Sequence, residues 1–215
     1  MKKLLLSFVI AFCIGVISFQ LIPTKNVIEV SGILENLSKE DLVINSDVVI
    51  SGRVLKILPS KWSHSYLKNT DTRNILTTDV EFEIDEIFKG IPYNKKITVR
   101  IEKGSDDKTI VTSDIDPDFT PGEYTLLFLK KDETILFDDT MDYYVICGGT
   151  QGKYLPENKD DVTGIYKCVF ENKEDISYSC LKAEIQDILE KNEKNPKVTM
   201  SPEEVRENNK SLWSD

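Results

Sequence analysis

The chain has 215 residues, of which 40% are hydrophobic and 30% are charged, and its formal net charge is −10. This length and composition suit one folded domain with appendages and argue against a wholly disordered chain. The negative charge argues against a nucleic-acid partner, because binding to phosphates needs a basic surface.

The N-terminal segment is expected to direct the chain out of the cytoplasm. Two lysines precede an uncharged stretch that runs from Leu4 to Ile22. A short basic region before an apolar run is typical of a signal peptide, and this run is also about long enough to span a bilayer. Residues 1–23 are therefore predicted to be a signal peptide or a membrane anchor. Cleavage after Ser18 would secrete the protein, whereas retention would hold it on the outer side of the cytoplasmic membrane.

The next segment leads into the folded domain. Residues 24–37 are predicted to be an exposed lead-in, with a strand-like piece at Val27 to Val30. Ser38 and Asp41 have the spacing of a capping box, in which each side chain accepts a hydrogen bond from the other residue's backbone. This pattern predicts a short helix that ends near Asn45 and covers one end of the domain.

Five strands are expected to follow, at residues 47–57, 79–88, 96–102, 123–130 and 143–155. In the second strand, apolar residues alternate with acidic residues from Asp79 to Asp85, which is typical of a strand with one buried face. The first strand contains Gly52, and a glycine inside a strand marks a bend or the close approach of another backbone. We expect these side chains to be buried: Val80, Phe82, Ile84, Val99, Leu126 and Phe128.

The connections between these strands are predicted to be polar. Pro59 to Thr77 is interpreted as a long loop, and Lys103 to Pro121 as a second loop with a short strand at Thr109 to Thr112. Gly148 and Gly149 predict a tight turn that folds the last strand back as a hairpin.

The C-terminal part changes character. Ile165 to Phe170 is predicted to add an edge strand, and apolar residues then recur at helical spacing from Leu181 to Leu189. Residues 193–215 are expected to form a weakly docked polar tail. Residues 38–192 are thus predicted to be a mainly β domain, a small OB-like antiparallel β-barrel with a short helix before the first strand and a C-terminal helix.

Four segments carry a resemblance to a known family: Ser46 to Val54, Phe88 to Gly90, Pro121 to Leu129, and Gly148 to Lys153. In this order they resemble a group of uncharacterised exported bacterial proteins, which are similar to the netrin/TIMP-like OB-fold modules of metalloproteinase inhibitors. The resemblance covers about residues 38–155 and implies a TIMP-like barrel. In those inhibitors a mature N-terminal cysteine reaches the zinc of the enzyme. Here the cysteine nearest the N-terminus is Cys13, inside the apolar stretch, so the inhibitory site is not transferred to any residue.

Trp62, His64 and Tyr66 are the candidate binding residues. They lie in the connection after the first predicted strand, which is one of the loops through which OB-like folds bind their ligands. Exposed aromatic side chains are also frequent at the centre of interfaces. The alternative is that Trp62 only closes the end of the barrel.

No metal, cofactor or catalytic site is predicted. Asp114, Asp116 and Asp118 alternate as at the start of a calcium loop, but Phe119 stands where that loop needs glycine. The single histidine, His64, lies between two serines without the sharp strand-to-helix turn that exposes a catalytic serine. We therefore expect a protein that is not an enzyme.

One disulfide is a candidate. Export would place Cys168 and Cys180 in a compartment where disulfides persist, and the polar segment between them could form a loop. A pair that involves Cys147 and the absence of any disulfide are the alternatives.

These features together predict an exported, non-enzymatic binding or interaction module whose partner is a protein, peptide or saccharide outside the cell. A TIMP-like inhibitor of a hydrolase is the first alternative, by analogy of fold. The second is a small extracellular hydrolase that uses Glu81, Glu83 and Asp85. These acidic residues are equally explained as the solvated outer face of the second strand.

Overall fold

The structure is a computed structural model that describes residues 25–65, 73–131, 142–170 and 175–194, with the backbone alone at residues 64–65 and 73–74. The predicted N-terminal apolar segment, Tyr66 and the predicted polar tail after Lys194 lie outside the described residues, whereas residues 193–194 belong to the C-terminal helix. Within the described ranges, no helix combines the length and the apolar character needed to cross a bilayer.

The described elements are mostly strands. In chain order they are β1 (Asn26–Val30), α1 (Lys39–Asn45), β2 (Val48–Ile57), β3 (Lys61–Ser65), β4 (Arg73–Lys89), β5 (Lys96–Ile101), β6 (Gly104–Ser105), β7 (Thr109–Ser113), β8 (Tyr124–Lys131), β9 (Tyr144–Ile146), a 3₁₀ turn (Gly149–Gly152), β10 (Lys153–Pro156), β11 (Ile165–Cys168), β12 (Ile176–Ser177) and α2 (Tyr178–Lys194).

Five of these strands close into a barrel. Their order around the barrel is β2, β4, β5, β9 and β8, and β8 pairs again with β2. The β5–β9 pair is parallel and the other four pairs are antiparallel. Closure leaves the five strands without a free sheet edge. The prediction of a mainly β, small OB-like barrel is therefore confirmed.

The barrel interior is filled by the alternating apolar residues that the sequence pattern identified. Val80, Phe82 and Ile84 of β4 point inward and pack with Val99 of β5 and Leu127 of β8. All six side chains that were predicted to be buried are buried. Alternation along β4 places every second residue on the interior face, which is why this strand could be read from the sequence.

A second apolar cluster lies outside the barrel wall. Strands β10, β11 and β12 extend the sheet from β8, and the helices α1 and α2 cover its outer face. Leu126 and Phe128 of β8 pack into this outer cluster with Leu181 and Ile185 of α2. Because β8 has a core on each side, its sequence is a continuous apolar run rather than an alternating one.

A serine hydroxyl caps the N-terminal end of each helix. The Ser38 hydroxyl accepts a hydrogen bond from the Asp41 N–H at 3.1 Å, and the Asp41 carboxylate accepts one from the Ser38 N–H at 3.2 Å. This confirms the predicted capping box. At the other end of α1, the Lys89 ammonium donates to three backbone carbonyls, those of Val43, Ile44 and Ser46. In α2 the Ser177 hydroxyl accepts from the Cys180 N–H at 3.2 Å.

The prediction of a long loop from Pro59 to Thr77 is wrong. Strand β3 pairs with the first part of β4, from Lys61 opposite Thr77 to Ser65 opposite Arg73. We call β3 and residues 73–77 of β4 the arm. The β3 sequence lacks the apolar alternation by which a strand is identified, although Leu76, opposite Trp62, is buried.

The predicted hairpin within residues 143–155 is also wrong. Strands β9 and β10 do not pair with each other, since each pairs with a different part of β8. Gly148 and Gly149 have φ values of 70° and 57°, and they turn the chain from one part of β8 to the other. Residues Ile165–Cys168 form the predicted strand, but it is an inner one that pairs with both β10 and β12.

The structure contradicts the predicted disulfide between Cys168 and Cys180. None of the described cysteines is in a disulfide; Cys168 is buried and Cys180 is exposed. Cys168 is the last residue of β11, whereas Cys180 lies in the first turn of the helix that follows β12.

Candidate functional site

A cleft with a volume of about 670 Å³ opens at the end of the barrel where β2 finishes. Its walls come from β2 and the residues after it, from β4 and β5, from β6 and β7, and from the loop before β8. The lining residues are Ile57, Leu58, Pro59, Ser60, Thr78, Val80, Ile101, Lys103, Gly104, Ser105, Ile110, Val111, Thr112, Ser113, Asp118 and Phe119. This volume is within the range of sites that hold small ligands.

The cleft combines an apolar base with a polar wall and carries little net charge. Buried side chains such as Val80, Ile101 and Phe119 form the base. Among the described lining residues, the charged side chains are Lys103 and Asp118, which form an ion pair of 2.7 Å. The site is therefore suited to a ligand that is uncharged and partly apolar.

The polar wall is fixed by hydrogen bonds among its own groups. The hydroxyls of Ser60 and Thr78 lie 2.8 Å apart, and Thr78 donates to the Lys103 carbonyl. The Ser105 N–H donates to the Ser60 hydroxyl at 3.0 Å. Gly104 has a φ of 151°, and a Cβ there would lie 2.1 Å from the Ser60 hydroxyl oxygen. The chain therefore needs glycine at this point for β6 to lie against the barrel.

A buried lysine supports the base of the cleft from behind. The Lys153 ammonium lies 4.1 Å from the centre of the Phe119 ring, donates to the Asp118 carbonyl and forms an ion pair with Glu123. Burial lowers the pKa of Lys153, and the adjacent Glu123 carboxylate opposes that shift. These contacts hold the loop before β8 in place, and with it the Phe119 ring.

Asp114 and Asp116, which lie between β7 and β8, also stabilise the local backbone. Asp114 accepts a hydrogen bond from the Gly32 N–H, and Asp116 accepts one from the Glu102 N–H. Burial raises the pKa of Asp116. Among the described residues, no group of three or more His, Cys, Asp or Glu side chains is placed to hold a metal ion.

Trp62 lies on the arm beside the cleft and not inside the barrel end. Its side chain is 39% exposed, and its indole Nε1 donates to the Asp106 carboxylate at 2.7 Å. The other oxygen of Asp106 accepts from the N–H groups of Lys108 and Thr109 at 2.8 and 2.7 Å. This hydrogen bond fastens the arm to the turn between β6 and β7. Trp62 thus stands two residues from Ser60 of the cleft wall.

The other two candidate binding residues are not located to the same extent. The His64 backbone is part of β3, and its side chain lies outside the described residues, as does Tyr66. The cleft itself was not predicted from the sequence. Its walls come from five separate parts of the chain, so no single segment of the sequence indicates it. The one local indication of the cleft was an apolar residue, Phe119, within a polar stretch.

OB-folds commonly bind ligands on the outer face of β4 and β5, and here the Asp79 end of that face is covered by side chains of the protein itself. Arg100 donates to both carboxylate oxygens of Asp79, at 2.7 and 2.9 Å, and Lys61 lies 3.3 Å from the same carboxylate. The Tyr143 ring stacks over the Arg100 guanidinium, 3.8 Å from ring centre to Cζ. Asp79, expected on a solvated face, is in fact buried. The cleft is therefore the better candidate.

The comparisons with known proteins add no family to this description. The sequence matches no protein-family model and no curated protein. The interpretation of the cleft therefore depends on its own geometry and chemistry.

The bond between Trp62 and Asp106 predicts a pH-dependent signal. The indole N–H and the two backbone N–H groups hold the pKa of Asp106 below that of an ordinary aspartate. Because the folded-state pKa is below the unfolded-state pKa, the stabilisation is complete above the unfolded value and disappears as the pH falls through the folded value. In a Trp213→Phe variant, we expect the Trp62 emission to change with a midpoint below the pKa of an ordinary aspartate.

The matched control for this titration is Asp106→Asn in the same Trp213→Phe background. The asparagine keeps a hydrogen-bond acceptor for the indole but does not titrate, so the acid change in Trp62 emission should disappear. A change of equal size and midpoint in the control would show that Trp62 reports general acid unfolding and not this bond.

Proposed function

We propose that the protein is an exported, non-enzymatic binding module whose cleft takes an uncharged saccharide. The observation that carries this proposal is the cleft of about 670 Å³ at the barrel end, with its apolar base and hydroxyl-bearing wall. Sugar rings present apolar faces and hydroxyl edges, so they can use both kinds of surface.

The charge distribution supports a neutral ligand over an ionic one. Lys103 is already paired with Asp118, so an anion would have to displace an existing partner. The chain as a whole carries a net charge of −10, which disfavours the approach of anions. A cation would have to compete with Lys103 for Asp118, the acidic residue among the described lining residues.

Trp62 lies beside the cleft and is not one of its lining residues. Its polar edge is bonded to Asp106, so the proposed saccharide site does not depend on the Trp62 ring. Export, which the N-terminal segment predicts, would bring the protein to compartments where free and cell-wall saccharides occur.

The test is an NMR titration of backbone amides with neutral oligosaccharides, for example chitotriose and maltotriose, and with an uncharged and an acidic peptide as competing probes. We expect saturable shifts at Ser60, Thr78, Ser105 and Thr112 with at least one oligosaccharide. Thr112→Tyr should abolish these shifts, because the larger ring occupies the cleft. Thr163→Tyr, at an exposed position outside the cleft, is the matched control.

Two results would contradict the proposal. One is saturable binding of the oligosaccharide that maps away from the cleft and is unaffected by Thr112→Tyr. The other is a preference for the uncharged peptide, which would identify the cleft as a peptide site.

A further inference from the structure

The described part of the chain begins at β1, which pairs with β7 in a small sheet outside the barrel, and contacts of described residues fix this point. The Asn26 N–H donates to the Lys108 carbonyl at 2.8 Å, at the start of β1. Lys25 is near enough to Asp106 for its charge to contribute to lowering the pKa of that carboxyl group. Trp62 is bonded to Asp106. We call this surface, formed by Lys25, Trp62, Asp106 and Lys108, the tether end.

Few residues connect the apolar N-terminal segment to the tether end. The uncharged stretch extends to Ile22, and β1 begins at Asn26. Four residues span at most about 14 Å even when fully extended. If the stretch from Leu4 to Ile22 remains in the membrane, the tether end must lie within that distance of the membrane surface.

The rest of the barrel extends away from this end. Trp62 is opposite Leu76 near the start of β4, and β4 continues to Lys89 at the far end of the barrel. That part of the strand has a contour length of roughly 40 Å at about 3.3 Å per residue, and the bulges in its pairing with β2 make the straight distance shorter. Ile91 follows it and is 89% exposed. A domain held at the tether end therefore keeps Ile91 far from the lipid.

The composition of the tether end suits a lipid surface despite the acidic chain. Lys25 and Lys108 balance Asp106 and Asp107, so the local charge does not repel anionic headgroups. Val27 and Ile28 of β1 are exposed, and they follow Asn26, whose N–H donates to the Lys108 carbonyl. Tryptophan favours the region between headgroups and acyl chains, where its ring is apolar and its N–H is satisfied.

We propose that the chain retains its apolar N-terminal segment in the cytoplasmic membrane and that the tether end rests on the outer membrane surface, with Trp62 at the level of the lipid headgroups. The cleft then opens beside the membrane, and the far end with Ile91 faces away from it. This proposal concerns orientation and does not depend on which ligand the cleft binds.

The experiment uses the full-length chain in lipid vesicles that contain nitroxide-labelled lipid with the label near the headgroups. Trp213→Phe leaves Trp62 as the sole tryptophan. The matched control carries Trp62→Phe, Trp213→Phe and Ile91→Trp, so that its sole tryptophan is at the far end. We expect the labelled lipid to quench Trp62 emission severalfold more than emission from the tryptophan at position 91.

Equal quenching of the two tryptophans would overturn the proposal. Absence of quenching at Trp62 would also overturn it, because the tether end would then be exposed to water or covered by a second copy of the chain. Fractionation of the producing cells provides an independent test. Recovery of the mature protein in released form, without residues 1–18, would show that the segment is cleaved and would also overturn it.

Discussion

Replacing Asp79 by alanine is expected to lower the free energy of unfolding by about 3–5 kcal/mol, because Arg100 then keeps its charge in a buried site without the carboxylate. The side chains of Arg100 and Asp79 are only 1% and 6% exposed, and two hydrogen bonds of 2.7 and 2.9 Å join them. Urea unfolding followed by circular dichroism measures the loss.

The matched control is an ion pair on the surface. Asp187 and Lys191 form an i,i+4 pair on α2, and both side chains are more than half exposed. Asp187→Ala should cost about 0.3–0.5 kcal/mol, because water solvates the remaining charge. An Asp79→Ala cost as small as that of Asp187→Ala would show that solvent reaches Arg100 after the substitution.

A double substitution separates the cost of a lost partner from the value of the pair. Asp79→Leu together with Arg100→Met removes both buried charges, and we expect it to recover most of the stability that Asp79→Ala loses. If the double variant is as unstable as the single one, the pair itself is needed to hold β4 to β5.

The sequence predicted those parts of the fold in which local periodicity reflects burial. Val80, Phe82 and Ile84 alternate because β4 has one face in the barrel core. Ser38 and Asp41 were recognisable because both sides of a capping box lie within one helical turn. In these cases the residues that interact are neighbours in the sequence.

The parts that the sequence did not predict depend on pairings between distant residues. Asp79 belongs to the series of alternating acidic residues in β4, which is typical of a face exposed to solvent. Only its position opposite Arg100 on β5 shows that it is buried. The residues of the arm have no apolar pattern, and the cleft walls are assembled from separate segments. Trp62 was identified from its residue type, but its bond to Asp106 could not be anticipated from spacing.

Gly52 is an intermediate case, since the sequence indicated a close approach but not its partner. A Cβ at this position would lie 2.1 Å from the Glu83 carbonyl oxygen, 2.9 Å from a Phe82 ring carbon and 3.0 Å from the Ile84 Cα. The pairing of β2 with β4 also shifts register between Ser51 and Gly52. A β-bulge of this kind bends a strand and tightens its twist, as the closure of a small barrel requires.

Replacing Gly52 by alanine is therefore expected to cost at least about 3 kcal/mol of unfolding free energy, because the added methyl group meets backbone atoms that cannot rotate away. Gly122→Ala is the matched control: φ is +82° there, but nothing lies within 4 Å of the added Cβ. Its cost should be only the backbone strain of about 1–2 kcal/mol. Thermal and urea unfolding of both variants measure the difference. Equal costs would mean that β2 and β4 can separate at Gly52 without opening the barrel, and that the bulge does not determine how closely these two strands pack.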